Sequence, residues 1–498
     1  MTADRIRIRL EPVGVEFEVS RGGSLVANLA EHGVEFPCGG MGECNGCKVR
    51  LLSGSLPVTQ ADAVTFTADE IAAGWRLACQ ARAESPLSLE CGRWHMDILA
   101  GSATACAAHR PVSAKSGLGI AIDVGTTTIA AQIIDLATGD VLGLETMLNP
   151  QVAFGSDVMS RIRAALDGQD VTTPIRSELG RLVDRLAVNR SDRVVEVVLV
   201  GNTVMHHLFS GLRVESLSHV PFESPHLGEQ RFTPIELGWN LPDRCTIRFA
   251  RCIGGFVGSD ILAGIIATGI DRSVGLQALV DLGTNGEIAI GNQNDIVCAS
   301  TAAGPAFEAG AIRMGMRAVT GAVAHVALEN GELRASVIGE VEPRGICGSG
   351  LVDAVAVGLC TGAINASGRI MRSDKTLPVA GPAVLYQSDI RQLQLAKGAI
   401  AAGFRLLLKN IGADASALER IFLAGAFGNY VQIGSAIRIG LIEAPSAIVH
   451  AAGNTALLGA RMMLLSGETV TLNHIRHFSL AADAEFQNEF ACCMVFPE

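Results

Sequence analysis

Residues 119–135 read GIAIDVGTTTIAAQIID, and residues 278–291 read ALVDLGTNGEIAIG. Each is an apolar strand, a D-x-G-T turn and a second apolar strand. A further echo pairs VVLVGNTVMHHLFSG, beginning at Val197, with IFLAGAFGNY, beginning at Ile421. Both are apolar strands that end in a glycine turn and lead into chain of helical character. Elements that recur in the same order in two halves imply two related α/β lobes.

The turns carry a chemistry. A tight turn between strands exposes consecutive backbone N–H groups, and glycine leaves room for a phosphate to approach them. Gly125 and Gly283 supply that room, and Thr126, Thr127, Thr128, Thr284 and Asn285 add side-chain donors. Asp123 and Asp281 stand just before the turns, where a carboxylate can hold Mg²⁺ through waters or polarise an attacking water. Glu287, two residues beyond Asn285, is a third candidate for that work. Asp260 and Glu308 could also position a water, but the sequence does not separate them from ordinary charged residues. Gly201, Asn202, Gly304, Gly425 and Gly428 complete the expected ATP-binding set, with GAFGNY offering glycines against which adenine and ribose can lie. Either D-x-G-T alone reads equally as a plain β-turn. Both together, with GAFGNY in the expected order, point to a nucleotide.

The N-terminus carries a different chemistry. Residues 5–10 and 15–19 alternate apolar and polar side chains, the pattern of a hairpin with one buried face. Ser24 then precedes LVANLAEHGV, a helix start at an N-cap with a stop at Gly33. PCGGMGECNGCKVRLLSG follows, placing Cys38, Cys44 and Cys47 in a C-x5-C-x2-C run, with Cys79 farther on in WRLACQ. Glycines at 39, 40, 42 and 46 let a loop wrap a cluster and turn its N–H groups toward sulfur. Four thiolates, one of them remote, suit a [2Fe–2S] cluster. Buried thiols or a structural zinc site remain open on spacing alone. The five-residue first gap resembles the adrenodoxin-like variant of the ferredoxin family.

Bulk properties narrow the function. At 498 residues the chain exceeds one ordinary core, so two to three folding units are expected. Hydrophobic residues at 49%, charged residues at 18% and 56 glycines describe a globular chain with many tight turns. A net charge of −11 argues against a general nucleic-acid binder. The start lacks a secretory pattern, and no apolar run reaches the roughly 20 residues of a membrane span. Thirteen cysteines clustered toward the N-terminus fit metal ligation in a reducing compartment, so a cytoplasmic protein is expected. The expected domains are a ferredoxin-like unit over residues 1–93, a flexible linker over 94–117, a first lobe over 118–275 and a second over 276–498. A linker of that length spans about 25 Å on average.

Five further segments extend the pattern: NPQVAFGSDVMSRI from Asn149, STAAGPAFEAG from Ser300, GICGSGLVDAVA from Gly345, DIRQLQLAKGAIAAG from Asp389 and LAGAFGNY from Leu423. With these the chain resembles the reductive activators of corrinoid-dependent enzymes. Such proteins join an N-terminal [2Fe–2S] domain to an ATPase of the ASKHA (actin, sugar kinase and heat-shock chaperone) superfamily. The resemblance implies a small α+β, β-grasp ferredoxin-like domain followed by a two-lobed actin-like ATPase, an α/β multi-domain protein. It implies ATP, Mg²⁺ and a [2Fe–2S] cluster as cofactors, a corrinoid protein or methyltransferase as partner, an upstream electron donor and a homodimer. The implied reaction is ATP-dependent reduction of Co(II) to Co(I). Such activators often carry a further domain before the first D-x-G-T, where this chain has about two dozen residues.

Three rival functions share these features: a small-molecule kinase of the same superfamily, an ATP-driven donor to another low-potential enzyme, and a non-enzymatic actin-like scaffold. Several residues have plainer readings. His206 and His207 read as surface or helix-packing histidines, and Met314 and Met316 as core or groove fillers. Cys252, Cys298, Cys347 and Cys360 read as small buried hydrophobes. Cys91 and Cys106 fall outside the cluster pattern, and the Cys492–Cys493 pair is not assigned a role.

Overall fold

The computed structural model describes residues 5–11, 15–31, 42, 47–91, 115–283, 285–329, 331–428, 430–466 and 474–497. Cys38, Cys44, Cys106, Thr284, Gly33, the glycines at 39, 40 and 46, and linker residues 94–114 lie outside them. The chain divides into two compact units, Met1–Asp97 with Leu148–Val171, and Ile98–Met147 with Thr172–Glu498.

The first unit is built on a hairpin of β1 (Arg5–Glu11) and β2 (Val15–Ser20). Ile6, Ile8 and Leu10 alternate inward while Arg5, Arg7 and Arg9 face solvent, the period of a half-buried strand. Helix α1 (Val26–Glu31) follows, with the Val26 N–H donating to Ser24 Oγ at 3.3 Å. Then come β3 (Lys48–Ser53), helices α2 (Gln60–Thr65) and α3 (Ala68–Ala72), β4 (Trp75–Leu77) and β5 (Leu87–Cys91). The five strands lie in the order β2-β1-β5-β3-β4, with β1 and β5 parallel. Thr59 with Asp62, and Thr67 with Glu70, close reciprocal capping boxes that start α2 and α3. Helix α4 (Val158–Leu166), capped by Asp157 onto the Ser160 N–H at 2.9 Å, belongs to the Leu148–Val171 part of this unit.

The second unit opens with β6 (Leu118–Val124), β7 (Thr128–Asp135) and β8 (Val141–Leu148). Helix α5 (Thr172–Leu186), β9 (Val194–Val200), α6 (Thr203–Ser210), β10 (Gln230–Phe232), α7 (Pro234–Leu237), β11 (Thr246–Phe249) and α8 (Ser259–Thr268) complete the first half. The second half begins with β12 (Leu276–Leu282), β13 (Gly286–Gly291) and β14 (Ile296–Thr301). A small region follows, holding β15 (Ala322–Glu329), β16 (Glu332–Val337), β17 (Gly345–Ile346), α9 (Gly348–Cys360), β18 (Thr376–Ala380) and β19 (Ala383–Tyr386). The half closes with α10 (Gln387–Asn410), β20 (Leu418–Ala424), α11 (Gly425–Gly428), α12 (Ile433–Arg438), β21 (Val449–Gly453), α13 (Thr455–Ser466), β22 (Ile475–His477) and α14 (Phe486–Met494).

The two large sheets repeat one another. Their orders are β10-β11-β9-β6-β7-β8 and β21-β20-β12-β13-β14-β22, so β11-β9-β6-β7-β8 matches β21-β20-β12-β13-β14. In each, an antiparallel pair, β6 with β7 and β12 with β13, is continued on one side by two strands that return parallel through helical crossovers. Register repeats as well as order. Asp123 pairs with Val200, immediately before Gly201, and Asp281 pairs with Ala424, immediately before Gly425. Helices α8 and α13 pack closely, because a side chain at Gly459 would come within 2.0 Å of Ala263 O. No helix among the described residues is long and apolar enough to cross a membrane.

Candidate functional site

The paired register puts both D-x-G turns at matching sheet ends, each beside a glycine turn. A Cβ at Gly125 would lie 2.3 Å from Thr128 O, so the first turn closes only without a side chain there. At Gly425, with φ +85°, a Cβ would meet Asp281 Oδ1 at 2.5 Å and Leu282 O at 2.7 Å. The glycine turn therefore rests directly on the second aspartate. Gly201 is pinned similarly, its N–H accepted by Ser259 Oγ at 3.1 Å and its carbonyl accepting from the Ser259 N–H at 2.9 Å. This ties the first glycine turn to the N-terminus of α8, which carries Asp260.

Four carboxylates gather here. Asp123, Asp260 and Asp281 are half-buried and Glu287 is 7% exposed. Burial, the largest cause, raises every one. Asp123 goes up to about 6, a bond from Asn454 working the other way. Asp281 goes up to about 7, with the charge of Asp123 adding to burial. Asp260 goes up to about 8, with Asp281 and then Asp123 adding to burial. Glu287 is pushed well above the usual range by burial and by Asp260 and Asp281. Such mutual repulsion is the electrostatic signature of a site that would accept positive charge. Among the described residues, no group of three or more His, Cys, Asp or Glu is spaced to hold a metal ion directly.

Two asparagines tie the turns to helices. Asn202 Nδ2 donates to Thr126 Oγ1 at 2.9 Å while its Oδ1 caps α6 through the Met205 N–H at 3.0 Å. Asn454 Nδ2 donates to Asp123 Oδ2 at 2.8 Å while its Oδ1 takes the Leu457 N–H at 2.7 Å. Sequence reasoning missed Asn454. Its signal was the tripeptide Gly-Asn-Thr, which occurs at both 201–203 and 453–455. Thr127 Oγ1 donates to Glu308 Oε1 at 3.1 Å, and Ser300 Oγ to Glu287 Oε1 at 3.3 Å. Gly304 (φ +76°) faces open space, Gly283 has room on its exposed side, and Gly428 packs on Leu423. Asn285 bonds the Glu287 side chain, and Thr128 begins β7.

In the first unit Cys47 and Cys79 are buried. Lys48 pairs with Leu77, and the Ala78 N–H donates to Cys47 O at 3.0 Å, so sheet register brings the two cysteine backbones together. Gln80 Nε2 points at Cys79 Sγ at 3.6 Å, a donor of the kind that stabilises a thiolate. Gly42 (φ +78°) leaves no room for a side chain without pressing on Ala61 and Gln80. Asp62 braces the region by accepting the Leu77 N–H at 2.7 Å. This chemistry fits an iron–sulfur cluster.

Family models match three blocks of the chain. The 2Fe-2S iron-sulfur cluster binding domain covers residues 8–84, the RACo middle region 118–273 and the C-terminal ASKHA domain of RACo 275–498. The corrinoid activation enzyme RamQ of Eubacterium limosum is 35% identical over 421 residues, 76% of this chain and 70% of that protein. The chain belongs to the family of corrinoid reductive activators. The activator is also 28% identical to the [Co(II) methylated amine-specific corrinoid protein] reductase of Methanosarcina barkeri, over 75% of this chain and 76% of that one. A solved structure, the reductive activator for corrinoid,iron-sulfur protein, matches it with a TM-score of 0.68 at 26% identity, covering 99% of this chain and 98% of that one. The expected fold, a ferredoxin domain followed by an actin-like ASKHA enzyme domain, is thus that of the activator.

Elsewhere in the activator, one of the plainer readings needs correction. Of the two places open to His206 and His207, helix packing is the one found, both being fully buried on α6. They contact each other through their Nδ1 atoms at 3.4 Å and reach Gly228 O and Ser224 Oγ, and burial lowers both, His206 to about 4. Cys360 is exposed, because it ends α9 on the outer side, whereas Cys252, Cys298 and Cys347 are buried. Met316 is buried beside Ala322 and Cys347, and Met314 is half-buried. Cys493 is buried and Cys492 exposed on α14.

Proposed function

We propose that this activator uses ATP hydrolysis to deliver single electrons to a corrinoid protein, reducing Co(II) to Co(I). The observation that carries the reading is the pairing of Asp123 and Asp281 at equivalent sheet positions, each against a glycine turn, in a chain that also holds a buried cysteine pair. The names of the relatives, one a reductase of a Co(II) corrinoid protein, support the acceptor. In this reading Gly125, Thr126, Thr127, Thr128, Gly201, Asn202, Gly283, Thr284, Asn285, Gly304, Gly425 and Gly428 surround the nucleotide. Asp123, Asp281 and Glu287 hold Mg²⁺ or orient the hydrolytic water.

Cys38, Cys44, Cys47 and Cys79 would hold the [2Fe–2S] group, which supplies a one-electron donor at about −400 mV. Each ~59 mV uphill costs about 1.4 kcal/mol for one electron, so ATP has to favour a form of the partner that is easier to reduce. Closure of the two lobes on nucleotide would stabilise that form, and hydrolysis would release it. An upstream reductant recharges the protein. The cysteine-rich N-terminus supports a cytoplasmic setting.

The test is anaerobic. Chemically reduced protein is mixed with a Co(II) corrinoid protein and Co(I) absorbance is followed with and without ATP and Mg²⁺. Co(I) that forms only with ATP is the expected result. ATP hydrolysis with no cobalt reduction across several corrinoid proteins would redirect the assignment to another acceptor or to a kinase.

A further inference from the structure

Thr127 lies in the first D-x-G-T turn, and Glu308 ends the 3-10 turn Pro305–Glu308 of the second half. Their hydrogen bond, 3.1 Å from Oγ1 to Oε1, spans 181 residues of sequence and joins the two halves across the turns. The Glu308 turn has little freedom. Ala309, the next residue, is held at φ 57°, a left-handed conformation that a non-glycine residue adopts only under constraint. The turn is pressed onto the start of α9 so tightly that a Cβ at Gly348 would lie 1.7 Å from Phe307 O. Phe307 packs against Phe427 of the Gly425–Gly428 turn, with ring centroids 4.8 Å apart. One short segment therefore touches the second glycine turn and holds a side chain of the first phosphate turn.

A threonine hydroxyl has a single proton to donate. If Thr127 donates to Glu308 it does not donate to a phosphate, and a carboxylate at that position also repels phosphate charge. We infer that Glu308 is a gate residue: it holds the Thr127 hydroxyl and links the two halves while the site is free of triphosphate, and the γ- or β-phosphate displaces it on binding. This inference rests on the nucleotide reading above. By linkage, whatever the Thr127–Glu308 bond contributes to the nucleotide-free state is subtracted from phosphate affinity. Glu308 is thus a positioning residue that sets how readily the lobes exchange their own contact for the nucleotide.

Titration calorimetry on the full chain, with ATP and with adenosine as separate probes, tests this. Breaking a charge-assisted bond of ordinary strength predicts that Glu308→Ala tightens ATP about tenfold and leaves adenosine within about twofold. Glu308→Asp keeps the charge and withdraws the oxygen by one methylene, so it should also tighten ATP, by about threefold or more. In a Thr127→Val background the effect of Glu308→Asp should disappear. A purely structural Glu308 would instead weaken ATP and adenosine together. Pure repulsion would leave Glu308→Asp without effect and Glu308→Ala equally effective in both backgrounds. Either result overturns the gate. If Glu308→Ala fails to fold, the Glu308→Asp pair of backgrounds decides alone. Wild-type protein that binds adenosine and ATP equally weakly overturns the nucleotide reading itself, and the gate with it.

Discussion

Asp281 on β12 stands directly opposite Glu287 on β13, whereas the matching position of the first half sets Asp123 opposite Ala130. Directly opposed residues of an antiparallel pair share a face, and like charges there destabilise the sheet. The two halves therefore repeat in backbone and differ in charge, with the surplus carboxylate on β13, just beyond the second D-x-G-T turn.

Burial of Asp123 and Asp281, with the charge of Asp123 adding to it at Asp281, makes stability fall as pH rises. In the unfolded chain Asp123 and Asp281 release protons near 3.8, but in the folded protein they hold them to about 6 and about 7. Between those limits the folded state binds more protons, so each upward step in pH costs stability. The nucleotide-free protein should show a melting temperature that declines from about pH 4 to about pH 7, and Asp281→Asn should flatten the decline. Scanning fluorimetry across that range reads both; an unchanged slope in Asp281→Asn would count against the raised proton affinity of buried Asp281.

Asn454 has two roles that substitution can separate. Asn454→Ala removes the bond to Asp123 and the cap on α13, and should lower stability by about 1–2 kcal/mol. Asn454→Asp retains capping oxygen but adds a further carboxylate beside Asp123, so its loss should grow as pH rises. Denaturation midpoints at low and neutral pH distinguish the two; equal losses for both variants at every pH would reduce Asn454 to a cap.

Gly425 and Gly304 both have positive φ, yet only Gly425 is crowded. Alanine at Gly304 should cost about 1–3 kcal/mol, because φ 76° with ψ 174° is a backbone region that essentially only glycine occupies. Alanine at Gly425 has to displace Asp281 as well, and should reduce nucleotide affinity far more than Gly304→Ala does. Comparable binding by the two variants would mean that the contact with Asp281 is relaxed easily.

Cys79→Ser should abolish the visible iron–sulfur absorption and cobalt reduction while ATP affinity stays within about twofold, because the cysteines and the carboxylates lie in separate compact units. Asp281→Ala should do the converse. Iron content, absorbance and calorimetry on both variants check this, and loss of both properties in either one would speak against separable modules.

By itself, the sequence determined the elements whose physics is local. Alternation of Ile6, Ile8 and Leu10 marked a strand, the D-x-G-T echo marked two hairpins, and glycine at 125 and 425 marked turns with room for a close approach. Those signals span a few residues and need no knowledge of neighbours. Only the tertiary structure decided that Asn454 serves Asp123, 331 residues away, that Asp260 joins the carboxylates and Glu308 reaches Thr127, and that His206 is buried while Cys360 is exposed. Those relationships arise from parallel crossovers that return distant strands to one sheet end, so contact and burial there follow from sheet order and register, which no stretch of adjacent residues encodes.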